Sequence, residues 1–403
     1  MKKLILLFLT AVTFSQNYAQ DKINISAEIR GRSEFDNRDF NSDKSGFFFT
    51  GLRSRLGAAF MPQSDLSGFI QIQDSRTFGT EPNTLADTKN VDLHQAYVDV
   101  RNIFGMPLSF KGGRMEFNLG PQRLIGSVGW NNVSRSFDGG VLSFQAEKIN
   151  LHAFAFQLGE MFLEGDSLDQ TLGGVFADLN LVENYTIQPF VIVESILKTD
   201  NLDRYTLGFY VKGNSGNIFH ETEFAYQAGT MLASGRKQDI NALMAALNVG
   251  YKFEGEQKPT LIIGIDYLSG DDNFTDDDYK VFNTLYATNH KYYGYMDFFV
   301  NLPPNTYEAG LTDIHAKFAF LPFEKVTAGL NLHIFNSSAD YTLLNGNTAK
   351  SFGTEADFTI GYQSSENLNV TGGFSFFSPG EIFEETRGSD TSTWMYLMTT
   401  FSF

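Results

Sequence analysis

Several common features are missing from this chain of 403 residues. It has no cysteine, so no disulfide can stabilise it. Beyond residue 20, no stretch approaches the roughly 20 consecutive apolar residues that a membrane-spanning helix needs. The net charge is −17 and no basic tract is present, so nucleic acid is not an expected partner. The sequence also lacks HExxH, GxSxG and GxxxxGK[ST] motifs, and we expect neither a catalytic site nor a cofactor.

The amino-terminal end carries a recognisable leader. Lys2 and Lys3 precede an apolar run from Leu4 to Phe14, and small and polar residues follow. This order is typical of a secretory signal peptide. We therefore predict a signal peptide at residues 1–20 and one mature domain at residues 21–403.

Aromatic residues and two-residue periodicity dominate the remainder of the chain. Aromatics make up 15% of the residues, with 40 phenylalanines, while hydrophobic residues reach only 42%. In DIHAKFAF, Ile314, Ala316 and Phe318 alternate with Asp313 and His315. Segments of this kind recur along the chain and predict eighteen strands, mostly of 10–14 residues. Strands that are apolar on one face fit either a large secreted β-protein or an outer-membrane barrel.

The lengths of the connections decide between these two classes. Connections after even-numbered predicted strands are short, such as 61–66 and 364–367, whereas most of those after odd-numbered strands are long, such as 120–135 and 270–307. Short periplasmic turns and long outer loops are typical of transmembrane barrels. We therefore predict an all-β fold, an antiparallel up-and-down barrel of about eighteen strands in the outer membrane of a Gram-negative bacterium, in contact with lipid.

The chain ends in the alternating segment WMYLMTTFSF, which closes on Phe403. We predict that this last strand pairs with the first, because closure removes both sheet edges. A terminal phenylalanine on such a strand is also the usual signal for the bacterial barrel-assembly machinery, which we expect as a partner.

Arginines are concentrated in the first third of the chain, where ten of the thirteen lie before residue 136. Alternation places Arg30, Arg32, Arg53 and Arg55 on the inward faces of two neighbouring strands, as one basic patch. A basic wall concentrates anions, although pairing with lumenal carboxylates such as Glu116 would instead stiffen the barrel. At 107–119 we predict a β-bulge at the two consecutive glycines, which turns Lys111, Arg114, Glu116 and Asn118 inward and Met115, Phe117 and Leu119 outward.

Three segments together resemble the alginate-export family of outer-membrane barrels. They are residues 52–79, residues 91–140 with HQAYVD, GRMEFNLG, RLIG and RSFDG, and residues 281–297. The resemblance implies an eighteen-stranded barrel with an arginine-rich pore for a polyuronate. The positions that match the family pattern are Arg53, Arg55, Gln73, Asp74, Tyr97, Asp99, Arg114, Glu116, Arg123, Trp130, Arg135 and Asp138.

The long loop at 270–307 invites two further hypotheses. His290, Tyr293, Tyr295 and Asp297 are candidates for a constriction that folds into the lumen and contacts solute. Asp271, Asn273 and Asp277 alternate in an acidic stretch and are weak calcium candidates, since the glycine and glutamate of an EF-hand are missing. A solvated acidic loop is the alternative, so no metal is expected.

These observations predict a passive outer-membrane channel for an anionic polysaccharide or oligouronate. The first alternative is a general or sugar-selective diffusion porin. A second alternative is a barrel enzyme, for which His94 and Asp92 are the residues to consider. Monomeric and trimeric assemblies both stay open.

Overall fold

A computed structural model describes residues 23–81, 90–159, 169–196, 201–233, 235–273 and 275–403. The predicted signal peptide lies outside these residues. Parts of the connections at 78–90, 161–170 and 198–202 lie outside them too.

Nineteen strands follow one another along the described chain. They are β1 Ile23–Asn37, β2 Phe47–Gln63, β3 Leu66–Thr77, β4 Val91–Val100, β5 Leu108–Met115, β6 Phe137–Gln145, β7 Ile149–Gly159, β8 Gln170–Leu179, β9 Tyr185–Ile196, β10 Leu202–Ser215, β11 Ile218–Ala233, β12 Arg236–Lys252, β13 Thr260–Leu268, β14 Asp278–Tyr279, β15 Leu311–Phe323, β16 Val326–Thr342, β17 Thr348–Ser365, β18 Leu368–Pro379 and β19 Ser392–Ser402. A short helix, α1, spans Glu381–Thr386, and 3₁₀ turns occupy Ile103–Gly105, Asn289–Lys291 and Pro304–Thr306.

Eighteen of these strands form one closed antiparallel barrel, in agreement with the predicted architecture. The remaining strand, β14, adds two residues in parallel to β12. The barrel closes where β1 pairs with β19, from Glu28 opposite Ser402 to Asn37 opposite Thr393. Phe403 and Ala27 exchange both backbone hydrogen bonds, each at 3.1 Å. Closure leaves no free edge among the barrel strands, as an apolar membrane requires.

The two faces of the wall differ in the way that alternation predicts. On β15, Ile314 and Phe318 are exposed on the outer face, whereas Asp313 and His315 are buried inside. Exposed apolar residues of this register recur around the barrel and suit contact with lipid. Among the described residues, no helix is long and apolar enough to span a membrane.

The main hydrophobic cluster lies inside the barrel. Its aromatic rings include Phe299, whose ring centre lies 4.5 Å from that of Phe335 and 5.6 Å from that of Phe383 of α1. A barrel of this strand count is wide enough for an aqueous lumen unless chain segments fill it. Here two long connections contribute the filling, and they position the candidate site.

Candidate functional site

Two connections fold into the barrel and contact each other. We call residues 116–136 the first inner segment and the described residues of 269–310 the second inner segment. Ile125 and Tyr286 form a parallel bridge, in which Gly126 N–H donates to the Tyr286 carbonyl at 2.8 Å and Tyr286 N–H donates to the Leu124 carbonyl at 2.8 Å. The segments contact inward-facing residues of several strands, from Arg30 on β1 to Glu355 on β17, which places them inside the lumen.

Arg30 and Arg53 of the wall, which we call the arginine bracket, contact the same pair of backbone oxygens on the first inner segment. Arg30 donates to the carbonyls of Gly129 and Asn131, both at 2.8 Å, and Arg53 donates to the same two carbonyls at 3.0 Å. Arg53 also pairs with Glu28 at 2.7 Å, whereas Arg30 forms no ion pair among the described residues. Two guanidiniums around two oxygen atoms is a geometry that would also hold a carboxylate.

Arg32 supports an aromatic stack between the two inner segments. Its guanidinium lies 4.2 Å from the ring centre of Trp130, and Trp130 stacks on His290 at 4.4 Å. His290 in turn stacks on Tyr295 at 5.2 Å, and its Nδ1 lies 2.6 Å from Asp297. Three of the four predicted constriction residues therefore lie together in the lumen, beside the arginine side of the wall.

A third cluster surrounds the start of the first inner segment. Arg55 donates to Gln73 at 2.7 Å and lies 3.4 Å from Glu116, while His94 Nε2 is 2.8 Å from the same carboxylate. Burial raises the pKa of Glu116, but the hydrogen bond from His94 and the charge of Arg55 outweigh it, and the net pKa is lowered. Asp92 is exposed and takes no part, so the His94 and Asp92 pairing considered from the sequence does not form.

The wall from β11 to β17 carries several buried carboxylates, and we call it the acidic side of the lumen. Arg123 of the first inner segment reaches across to Asp266 on β13, lies 3.6 Å from Glu223 on β11, and stacks 3.8 Å from the ring centre of Tyr292. Burial lowers the pKa of Arg123, but the charge of Asp266 outweighs it and the net pKa is raised. Tyr293 is fully buried, and burial raises its pKa.

Arg135 connects the two inner segments. It donates to the carbonyl of Gly126 at 2.9 Å and to that of Tyr286, and it lies over the Tyr286 ring. Tyr286 hydroxyl donates to Glu194 on β9 at 2.8 Å. The first inner segment is thus held by arginines at both of its ends.

A polar cavity of about 520 Å³ lies below the inner segments, toward the short turns. Lys111, Ser109, Ser143 and His152 contribute its polar lining. Lys111 Nζ lies 4.8 Å from the ring centre of Tyr97, and within the described part of the chain it forms no ion pair. Asp99 also lines the cavity and pairs with Arg101 at 2.9 Å.

Comparison with known proteins identifies the family. The profile of the family described as alginate export matches residues 21–396. The chain belongs to the alginate-export family. Among curated proteins no match is found. The family match and the porin-like barrel place this chain among outer-membrane β-barrel channels.

Solved structures of similar fold come from Pseudomonas aeruginosa. OccK8 (OprE) has a TM-score of 0.63 at 13% identity, covering 95% of this chain and 98% of that chain. OprD has a TM-score of 0.60 at 13% identity, and the match covers 94% of this chain and 95% of that chain. OpdK, solved with vanillate, has a TM-score of 0.60 at 13% identity, covering 94% and 98%. At this identity the likeness shows the barrel fold alone.

In this alginate-export family barrel, the predicted bulge at the two glycines of β5 is absent. The pairing of β5 with β4 and with β6 runs without a shift, and the irregularity lies on β4 at His94, where Gln71 faces Gln95 but Ile72 faces Leu93. Arg114 therefore shares the outward register of Phe110. Its partner is Asp138 at 2.6 Å, directly opposite on β6. The prediction that Arg114 and Asp138 line the pore is wrong.

The end of the predicted strand at 107–119 also differs. The strand ends at Met115, and Met115, Phe117 and Leu119 are buried inside rather than facing lipid. The ring centre of Phe117 lies 4.9 Å from that of Phe154 and 5.0 Å from that of Phe156. The outward prediction for these three residues is wrong, because the chain leaves the wall here and carries its apolar side chains into the lumen.

The calcium candidates of the second inner segment serve other contacts. Asp271 accepts backbone hydrogen bonds from Asn273 at 3.0 Å and Lys280 at 3.2 Å, and Asp277 lies 3.5 Å from Arg236. Asp271 therefore contacts the backbone of its own loop, and Asp277 contacts β12.

Sequence reasoning missed the acidic side of the lumen. Its buried carboxylates are Glu223, Asp266, Asp313, Glu355 and Asp357. Each sits at an inward position of its own strand, and alternation alone could have identified it. Their convergence depends on the order of strands around the barrel, and no spacing in the sequence carries that information.

Proposed function

We propose that this channel is selective for small anionic saccharides of the oligouronate type. The proposal is carried by the bracket of Arg30 and Arg53, which holds two oxygen atoms as a carboxylate would be held. In this proposal the carbonyls of Gly129 and Asn131 occupy an anion position, and a solute carboxylate competes with them. Arginine suits this role because its fork matches a carboxylate in a bidentate way.

The lower cavity supplies a second position for an anion. Lys111 forms no ion pair among the described residues, and the Tyr97 ring beside it offers an apolar face to a sugar. A solute would move between Lys111 and the arginine bracket by successive weak contacts, which permits both binding and release. OpdK, a barrel of similar fold, was solved with vanillate, which is itself a carboxylate, and this is in keeping with a carboxylate solute here.

A second candidate function is a sugar-selective porin for neutral saccharides. The stack of Trp130, His290 and Tyr295 provides faces on which sugar rings pack. The buried carboxylates on the other side of the lumen would repel an anion and not a neutral sugar. We propose no catalytic role.

Conductance in planar bilayers separates the two candidates. The purified barrel is placed in a salt gradient, the reversal potential is read, and di- and trisaccharides of a uronic acid are compared with neutral sugars of equal length. We expect anion selectivity and block by the uronates. Lys111→Gln should weaken that block roughly 5-fold, which corresponds to ~1 kcal/mol for a hydrated ion pair.

Arg114→Gln is the matched control, because it removes a nearby positive charge from the outer face only. It should leave the block unchanged. Block by neutral sugars with indifference to uronates would favour the sugar-selective porin. If Lys111→Gln and Arg114→Gln changed the block by uronates equally, Lys111 would not contact the permeating solute.

A further inference from the structure

Two histidines and an aspartate converge on the acidic side of the lumen. The register sets His315 on β15 directly opposite His333 on β16, and Asp313 lies two residues before His315 on the same face. His315 Nδ1 is 3.0 Å from Asp313 Oδ2, and His333 Nδ1 is 2.9 Å from the same oxygen. One ligand atom from each residue lies within 4.8 Å of the others, and all three side chains are buried.

Asn248 fixes which nitrogen of His315 carries the proton. His315 Nε2 lies 2.7 Å from Asn248 Oδ1 on β12. An amide oxygen only accepts, so Nε2 must donate. In the neutral ring, Nδ1 then has a lone pair that faces the Asp313 carboxylate. Two acceptors in contact repel each other unless a cation lies between them or the ring gains a second proton.

A glycine makes the contact between Asn248 and His315 possible. Gly264 on β13 lies between the two residues in the row of paired strands. A Cβ at this position would overlap both Asn248 Oδ1 and His315 Nε2. Any larger residue would therefore separate them. The arrangement matches the outer hydrogen bonds that orient histidines at metal centres.

The surrounding wall has an excess of negative charge. Asp266 is opposite Asp313, and Glu355 is opposite His333. The buried carboxylates nearby are Glu223, Asp266, Asp313, Glu355 and Asp357, and the basic side chains near them include Arg123, Lys291 and Lys317. Among the residues that the structure describes, Asp266 Oδ1, Glu355 Oε2 and Asp357 Oδ2 have no hydrogen-bond partner. Buried negative charge of this size needs protons or a cation to balance it.

We propose that Asp313, His315 and His333 bind one divalent transition-metal ion of the zinc, cobalt and nickel class. The ligands are Nδ1 of each histidine and one carboxylate oxygen, with Asn248 orienting His315 through Nε2. Two imidazoles and one carboxylate suit these ions better than calcium or magnesium, which prefer oxygen alone. The ion cross-links β15 to β16 and lowers the negative potential on the acidic side of the lumen.

Binding of Co²⁺ and Zn²⁺ to the full-length barrel in detergent tests this proposal. The protein is purified without a histidine tag and stripped with EDTA. Cobalt absorption reports imidazole ligands, and calorimetry with Zn²⁺ gives the stoichiometry and affinity. We expect one ion per chain. His333→Gln should abolish the cobalt spectrum, and Asn248→Ala should weaken Zn²⁺ binding by about 10- to 100-fold.

The control is His152→Gln, which removes a histidine that contacts Asp178 at 3.4 Å on another part of the wall. It should bind both ions as the unsubstituted chain does. Folded barrels migrate differently on a gel before and after heating, and this shift verifies that each variant is folded. If His333→Gln does not fold, Asn248→Ala still tests the proposal, because it keeps all three metal ligands. Absence of a one-to-one complex in the unsubstituted protein, or binding that neither Asn248→Ala nor His333→Gln weakens, would overturn the proposal. This outcome is independent of which solute the channel carries.

Discussion

Removing Arg30 should loosen the first inner segment. Arg30 donates three hydrogen bonds to this segment, to Gly129 and Asn131 at 2.8 Å and to the Asn132 side chain at 3.3 Å. Arg30→Met keeps much of the apolar stem of the side chain and removes all three bonds. Other contacts from the wall to the segment remain, among them those of Arg53, Arg32 and Ser75.

The magnitude follows from the two short bonds. A hydrogen bond from a charged group contributes about 1.5 to 3 kcal/mol. Taking the lower value, because water in the lumen competes, the substitution costs about 3 kcal/mol. At 1.4 kcal/mol for each factor of ten, the ratio of docked to released segment falls about 100-fold.

Single-channel recording measures this change directly. We expect Arg30→Met to spend more time in states of higher conductance than the unsubstituted channel. Arg114→Met is the control, since it removes an arginine on the outer face that has one carboxylate partner. Its single-channel conductance should match that of the unsubstituted channel. Identical traces for Arg30→Met and the unsubstituted channel would refute the idea that the arginine bracket holds the segment in place.

Three other predictions concern assembly, packing and pH. Deletion of Phe403 removes the terminal backbone pair with Ala27, and it should lower the amount of folded barrel in outer-membrane fractions, while Phe403→Tyr should assemble normally. Phe117→Ala should lower the free energy of unfolding in urea by about 3 to 5 kcal/mol, because its ring is buried among other phenylalanines. Since the pKa of Glu116 is lowered by folding, its stabilising effect is complete above the ordinary carboxyl pKa and is lost as pH falls through the lowered value. Glu116→Gln should flatten the dependence of the urea midpoint on pH below about pH 4, and an unchanged dependence would contradict the ion-pair assignment.

The strands could be read from the sequence because alternation is a local property of each segment. The structure has the predicted number, since eighteen strands form the barrel wall. The register at β5 could not be read, because paired glycines there fit a regular strand as well as a bulged one.

The contents of the lumen depend on contacts between distant residues. Arg30 and Gly129 are 99 positions apart, and nothing in either neighbourhood predicts their hydrogen bond. His315 and His333 are brought together only by the register of β15 and β16, so a search for fixed histidine spacings does not find them. Inward position was predictable from each strand, whereas the partner of each side chain was not.

The bridge between Ile125 and Tyr286 has a consequence for how such channels diversify. The two inner segments come from separate parts of the chain, and each completes the backbone hydrogen bonds of the other. Transplanting one of them into a related barrel would leave those groups without partners, whereas transplanting both would preserve them. The segments should therefore behave as a single exchangeable module inside the barrel wall, and new solute preferences should arise by coordinated change in both.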